Sequence, residues 1–161
     1  MAQHQENCEI CERIAQCRRG EHPGLILETE TGFAVLGDSQ YFRGYSLLLC
    51  KTPATELDEL PRDVRLKYLE EMALLAEAVR RVVQPHKLNY ECLGNLVHHL
   101  HWHIFPRRAD EEHAQKPVWL CLPPGDEAAK YALNPERDAE LIAQIRTELK
   151  HLLENRCLLY T

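Results

Sequence analysis

Long apolar runs are absent from this sequence. No stretch of the 161 residues approaches the roughly 20 consecutive apolar residues that a membrane-spanning helix needs. The first eight residues are polar and contain no apolar run of signal-peptide length. Internal repeats and low-complexity tracts are absent as well. We therefore expect a cytoplasmic protein with no membrane partner.

The chain also lacks an excess of positive charge. Lys and Arg number 19 against 25 Asp and Glu, which gives a formal net charge of −6 at pH 7. Proteins that bind nucleic acid without sequence preference carry the opposite charge, because the phosphate backbone attracts Lys and Arg. The composition therefore predicts no nucleic-acid partner. A small phosphorylated ligand is still compatible with it, since such a ligand needs only a local pocket.

A regular disulfide framework is missing too. The seven cysteines are odd in number and irregularly spaced, which favours reduced thiols in a cytosolic setting. Cys8 and Cys11 form a Cys-x-x-Cys pair inside residues 8–20. We interpret that stretch as a short polar segment, closed by Gly20 and by the turn residues His22-Pro23-Gly24.

What the sequence does contain is a clear order of helices and strands. Apolar residues at three- and four-residue spacing predict a long mid-chain helix over residues 61–83 and a second helix over residues 135–155. On the mid-chain helix we expect Glu70-Glu71 and Arg80-Arg81 to lie on the solvated face. Short apolar runs predict three antiparallel strands at residues 25–28, 33–36 and 45–50, and two more at 90–93 and 96–105 joined by a tight turn at Gly94-Asn95.

These elements predict an α+β fold, with a mainly antiparallel sheet of about five strands, one long mid-chain helix and a C-terminal helix. The length fits a single domain over residues 1–161. We place the core of that domain at residues 8–108 and a C-terminal extension, made of a loop and the second helix, at residues 109–161.

Histidines are concentrated in one short segment, where four of the nine fall within residues 98–103. On a strand, His99, His101 and His103 would share one face and the apolar residues between them the other, because successive side chains alternate. The apolar residues can pack on a helix. Core packing does not require a stripe of three imidazoles spaced about 6.6 Å apart.

Three interpretations of this stripe are open from the residues alone. It is a set of exposed or internally satisfied histidines, a metal site, or a nucleophilic centre. Full metal coordination needs a further donor, and the same strand offers no nearby carboxylate. A neutral imidazole, with an ordinary pKa near 6.5, can attack an electrophile while its neighbours fix its tautomer and bind charge. We favour the nucleophilic centre.

The segment His99-Leu100-His101-Trp102-His103-Ile104-Phe105 resembles the signature of the histidine triad (HIT) family, His-φ-His-φ-His-φ-φ with φ apolar, at every position. The Pro106-Arg107 pair that follows resembles the same position in family members that cleave dinucleoside polyphosphates, and the chain as a whole resembles the bacterial members of that kind. The resemblance covers roughly residues 8–108. It implies a HIT-like fold, adenine nucleotides as ligands, a homodimer, and a hydrolase that cleaves phosphoanhydride or phosphoramidate bonds with no metal ion required for catalysis.

Carried over to this sequence, the family's roles make His101 the nucleophile, which attacks the α-phosphorus and becomes nucleotidylated. His103 would bind the phosphate or bridging oxygen and assist the leaving group, while His99 would orient His101 or act as a structural ligand. The nucleotide-binding residues implied by the resemblance are Asp38 for the ribose hydroxyls, Asn95 for phosphate, and Arg107.

Three departures from the family pattern accompany the match, and one is the short loop over residues 94–98, which lacks the usual Gly-x-Ser segment. Tyr45 stands where many relatives have a further histidine, and Pro53 stands where zinc-binding relatives have a histidine ligand. The zinc ligands that remain are Cys8, Cys11 and His99, so the alternatives are a structural zinc ion and ordinary reduced cysteines.

Two functions other than a hydrolase are also open. One is a nucleotide-binding sensor with little turnover, and the other is a nucleotidyl transferase or phosphorylase.

Overall fold

A five-stranded antiparallel sheet forms the centre of the fold. The computed structural model describes residues 6–155, so the first five residues of the polar N-terminal stretch and the last six of the C-terminal extension lie outside the described residues. The strands are β1 (Leu25–Glu28), β2 (Gly32–Leu36), β3 (Ser46–Cys50), β4 (Lys87–Glu91) and β5 (His101–Arg107). They are hydrogen-bonded in the order β1-β2-β3-β5-β4, and every neighbouring pair is antiparallel. The predicted α+β fold is confirmed.

Helices cover both faces of this sheet. In the described part of the chain they are α1 (Glu9–Arg19), α2 (Arg62–Val83), the short α3 (Gly125–Ala128) and α4 (Pro135–Asn155). Single 3-10 turns lie at Leu57–Glu59, Val118–Leu120 and Ala129–Tyr131. The two predicted helices are therefore confirmed as α2 and α4. Among residues 6–155, no helix combines the length and apolar character needed to cross a membrane.

Alternation along the strands divides the core between the two faces of the sheet. Ala34 and Leu48 belong to a cluster with the buried residues of α2 and α4. Their neighbours Phe33 and Leu49 point the other way and pack against α1. The sheet is thus buried on both sides, with α2 and α4 on one face and α1 on the other.

The interpretation of residues 8–20 as a short polar segment is wrong, because most of that stretch forms α1. The Cys8 sulfur accepts a hydrogen bond from the backbone N–H of Cys11 and so caps the helix. Gly20 ends it with a φ of 70°, a conformation that favours glycine. Only a narrow apolar stripe marks the helix in the sequence, and its buried members are Ile10, Ile14 and Cys17.

The predicted tight turn at Gly94-Asn95 is also wrong. β4 ends at Glu91 and β5 begins at His101, so residues 92–100 form the connection. The end of this connection is not paired with β4, because the backbone of Leu100 donates to the Ala54 carbonyl and accepts from the Cys50 N–H, at 2.7 and 3.1 Å. His99 therefore lies just ahead of the strand that carries the other two histidines of the triad.

Glu70 lies at the surface of α2 as expected, but the expectation is wrong for Glu71, which lies in the core. Glu70 is partly exposed, whereas Glu71 is fully buried. The Glu71 carboxylate accepts hydrogen bonds from the Thr29 hydroxyl (2.7 Å), the Thr31 hydroxyl (2.5 Å) and the backbone N–H groups of Glu30 and Thr31 (2.9 and 3.1 Å). Burial of this charge is tolerated because four donors replace water around it. Glu71 thereby ties α2 to the β1–β2 turn.

Candidate active site

Strand β5 places two histidines of the triad side by side on the face of the sheet that α1 partly covers. His101 stands opposite Leu49 of β3, and His103 stands opposite Leu47. Both imidazoles are buried, and their ring centroids are 4.7 Å apart. Trp102, between them, points to the other face and packs with the core cluster that contains α2.

One hydrogen bond fixes the tautomer of the His101 ring. Its Nδ1 lies 2.6 Å from the backbone carbonyl oxygen of His99. A carbonyl can only accept, so Nδ1 carries a proton, and in the neutral ring the lone pair is on Nε2. Burial, and to a lesser degree the positive charge of Arg13, lowers the pKa of His101 below its ordinary value. At neutral pH the side chain is thus an uncharged imidazole with a free Nε2.

His103 is held against Tyr45, the residue that departs from the family pattern. The Tyr45 hydroxyl oxygen lies 2.6 Å from His103 Nδ1, and the two rings stack with an interplanar angle of 12°. Burial, with a contribution from neighbouring His101, lowers the pKa of His103 to about 4. His103 is therefore uncharged at neutral pH, and its contribution to a site is that of a neutral hydrogen-bonding group.

His99 faces a different environment from the other two histidines. Its Nε2 donates to the Cys50 carbonyl at 2.8 Å, which leaves the lone pair on Nδ1. That nitrogen lies 3.4 Å from the Cys8 sulfur and 3.5 Å from the Cys11 sulfur. The three possible ligand atoms all lie within 4.8 Å of one another. The structure thus brings together the three residues predicted as metal ligands.

Two cavities meet at His101 and His103. The first, of about 260 Å³, extends toward α1 and the end of β2, and Arg13 and Asp38 form part of its wall. The second, of about 380 Å³, lies beside the 92–100 connection and is lined mostly by apolar groups, with Asn95 at its edge. The remaining residues shared by the two cavities are Val97 and Trp119.

The structure brings Asp38 and Asn95 to the histidines but not Arg107. Arg107 is 3% exposed, and its guanidinium is bound by a side chain of β4 and by the connection from β5 to α4, residues 108–134. Its partners are the side chains of Asn89 and Glu111 at 2.8 Å and the carbonyls of Lys116 and His113 at 3.0 and 3.2 Å. Its hydrogen bonds therefore stabilise the fold of that connection, and it lines neither cavity.

Two neighbours of the triad were not recognised from the sequence as parts of the site. One is Arg13, which reaches the first cavity from α1. Its signal was the i,i+4 pair that it forms with Glu9, which stabilises a helix but is visible only once that helix is recognised. The other is the Tyr45 hydroxyl. Its contact with His103 depends on the pairing of β3 with β5, which single-residue patterns do not specify.

Comparisons with known proteins agree with this geometry. A family model described as HIT domain matches residues 20–110. Protein hit of Bacillus subtilis (strain 168) is 32% identical over 108 residues, which are 63% of this chain and 72% of that protein. Adenylylsulfatase HINT3 of Arabidopsis thaliana is 24% identical over 159 residues, or 94% of this chain and 74% of that protein.

Solved structures share the fold. A histidine triad protein from Marinobacter aquaeolei VT8 has a TM-score of 0.68 and 24% identity, over 80% of this chain and 89% of its own. A Zn-bound histidine triad family protein from Mycobacterium smegmatis has a TM-score of 0.59 and 20% identity, over 93% of this chain and 98% of its own. Helix α1 precedes the residues that the family model matches.

Proposed function

The chain belongs to the HIT domain family, and from this we propose that it is a hydrolase that cleaves phosphoanhydride or phosphoramidate bonds of adenine nucleotides through a nucleotidyl intermediate on His101. The observation that carries the proposal is the neutral His101 ring, whose Nδ1 donates to the His99 carbonyl and whose Nε2 has no hydrogen-bond partner among residues 6–155. A member of the family from Arabidopsis thaliana is named an adenylylsulfatase, which supports a hydrolytic function.

The reaction would proceed in two displacements on phosphorus. In the first, His101 Nε2 attacks the α-phosphorus, a P–N bond forms, and the bond from phosphorus to the leaving group breaks. In the second, water attacks the same phosphorus, the bond to His101 breaks, and AMP leaves. The hydroxyl of Tyr45 holds the His103 ring beside this centre through Nδ1. His103 Nε2 can then hydrogen-bond the phosphate or the bridging atom. Neither displacement is proposed to require a metal ion, since the nucleophile is His101 Nε2 in the first and water in the second.

The two cavities suit the two halves of such a substrate. The cavity with Asp38 would hold the ribose, whose hydroxyls donate to the carboxylate, and the histidines lie between it and the second cavity. The second cavity, beside Asn95, would hold the leaving group. Arg107 is given no role in binding here, because the hydrogen bonds of its guanidinium are already made inside the protein.

The proposal is tested by incubating the wild-type protein with adenosine 5′-phosphoramidate, adenosine 5′-phosphosulfate and diadenosine polyphosphates in H₂¹⁸O. We expect AMP that carries one ¹⁸O atom, because water resolves the His101 intermediate at the α-phosphorus. Mass spectrometry of the AMP and of the acid-quenched protein provides the measurement. Label found only in the leaving group would contradict attack at the α-phosphorus.

Two other outcomes would replace the hydrolase with one of the two alternative functions. If added inorganic phosphate diverts the product from AMP to ADP, the protein is a nucleotidyl transferase or phosphorylase. If AMP binds, as calorimetry would show, but none of the three substrate types is cleaved, the protein is a nucleotide sensor.

We also propose that Cys8, Cys11 and His99 hold a structural zinc ion. The donors suit zinc because two thiolates and one imidazole are its usual protein ligands, and the lone pair of His99 Nδ1 is directed at the two sulfurs. Within residues 6–155, no fourth Cys, His, Asp or Glu joins the group. Pro53, at the position of the family's fourth ligand, cannot bind a metal. The fourth position would therefore be filled by water or an exchangeable ligand.

The zinc proposal predicts about one zinc ion per chain, measured by inductively coupled plasma mass spectrometry. It also predicts that the Co²⁺-substituted protein shows sulfur-to-cobalt charge-transfer absorption. The double variant Cys8→Ser, Cys11→Ser should lose both signals, and a Cys92→Ser control should keep them. Chelation should lower the melting temperature by about 10 °C, because a ligand at about 1,000 times its Kd contributes about 4 kcal/mol. Equal metal content in the double variant and the control would exclude this site.

The remaining expectations from the family resemblance are a homodimer and a cytoplasmic location. We propose the homodimer because β4, at one edge of the sheet, pairs only with β5 among the described strands. Pairing with a second chain would cover such an edge. Sedimentation equilibrium at micromolar concentration measures the state directly, and a monomer at all concentrations would refute the dimer.

A further inference from the structure

Arg13 of α1 forms a paired contact with Asp38 in the wall of the first cavity. Its Nη1 donates to Asp38 Oδ1 at 2.8 Å, and its Nη2 donates to Asp38 Oδ2 at 2.5 Å. The same guanidinium is fixed from behind by Glu9, whose Oε1 accepts from Nε at 3.2 Å and from Nη2 at 2.5 Å. Arg13 is thus held by two carboxylates, and it holds one of them in a two-point, fork-like geometry.

Asp38 itself has little else to orient it. It follows β2 on the connection to β3, and its side chain is 62% exposed, against 21% for Arg13. A carboxylate in that setting would turn freely about its side-chain bonds. The planar guanidinium removes this freedom because it binds both oxygens at once. Exposed ion pairs contribute little to folding stability, so this contact matters chiefly for where the two Asp38 oxygens point.

The paired carboxylate keeps the capacity to bind a sugar. Each carboxylate oxygen has two lone pairs, and Arg13 uses one on each. One lone pair on each oxygen remains, which suits two adjacent hydroxyl groups.

We propose that Arg13 is a specificity-determining positioning residue, which holds Asp38 in the orientation that recognises the 2′- and 3′-hydroxyls of a ribonucleotide. The inference rests on the proposed nucleotide site, and it adds a residue that lies ahead of the family-matched residues 20–110. Arg13 acts through Asp38, so its contribution should depend on the sugar and not on the phosphate.

The test compares the affinities of AMP and 2′,3′-dideoxy-AMP by calorimetry, which does not depend on turnover. For the wild type we expect AMP to bind about 100-fold more tightly, since two hydrogen bonds to a charged acceptor are lost in the dideoxy compound. Arg13→Met should weaken AMP about tenfold and leave the dideoxy compound unchanged. Asp38→Asn should abolish the preference, and adding Arg13→Met to it should have no further effect on either compound.

Arg19→Met is the matched control, because Arg19 lies on the same helix, pairs with Glu12 and Glu21, and is not part of the cavity. If Arg13→Met fails to fold, as circular dichroism would show, Arg13→Lys replaces it, because it keeps the charge but not the fork. Equal weakening of both compounds would make Arg13 a phosphate ligand and overturn the inference alone. Failure of the wild type to bind either compound would overturn the proposed function with it.

Discussion

The substitution His101→Asn is expected to lower the turnover of the cleaved nucleotide by about 10⁴-fold or more, because it removes the attacking nitrogen. Asparagine offers no nucleophile at the position of Nε2, while its size preserves the packing of β5. AMP affinity should change by less than about threefold, since the other parts of the cavity remain in place. Steady-state kinetics and acid-quench mass spectrometry measure the loss of turnover and of the nucleotidyl adduct together.

The matched control is His98→Asn, in a partly buried residue of the same histidine cluster that lines neither cavity. It should retain nearly full activity. The pH profile of kcat/KM provides a second measurement. Because the reaction requires neutral His101, kcat/KM should fall as the pH drops through the lowered pKa of that residue. More than a tenth of wild-type turnover in His101→Asn would contradict covalent catalysis at this position.

Among single substitutions, the largest effect on stability is expected from Glu71→Ala. This change removes the acceptor of four hydrogen bonds, which two backbone N–H groups and two hydroxyls of the β1–β2 turn donate. We expect a loss of about 3 kcal/mol or more in the free energy of unfolding, because each bond to a buried charge contributes roughly 1.5–3 kcal/mol and they are not additive. Urea denaturation, read as a shift of the midpoint at constant slope, gives the value.

Glu70→Ala serves as the control for that loss. Glu70 is the preceding residue on the same helix, but it is 38% exposed and its ion pair with Lys67 spans 3.7 Å. Its removal should cost less than about 0.5 kcal/mol. Similar costs for the two substitutions would mean that the anchoring of the β1–β2 turn by Glu71 does not contribute to stability.

The sequence predicts those parts of the fold in which apolar residues recur at a regular spacing. The stripe of α2, the stripe of α4 and the alternation of β5 each repeat over enough residues to identify the element and its buried face. Trp102 was placed opposite the histidines on that basis, and the structure agrees. The triad can be predicted from the sequence as well, because its three histidines lie within five residues of one another and are unusual on a strand.

The rest depends on contacts between distant residues. Leu93 and Leu96 continue the apolar pattern of a hairpin, yet they are exposed, because the 92–100 connection follows the hydrogen bonds that Leu100 makes to residues 50 and 54. Glu71 looks like a surface residue until the donors of the β1–β2 turn are placed against it. In both cases the deciding partners are tens of residues away, and no local pattern contains them.

The position of α1 has a consequence for how the protein reaches its native state. Cys8 and His99 lie 91 residues apart in the chain but meet in the structure. During synthesis, the helix leaves the ribosome first and must wait for β5, because contacts of such long range form late and slow the folding reaction. A nascent chain that ends before residue 101 would hold Arg13 beside Asp38 but would lack the histidine pair of β5. The site is therefore completed only when α1 and β5 have come together, and a chain that lacks β5 is expected to be inert toward nucleotides.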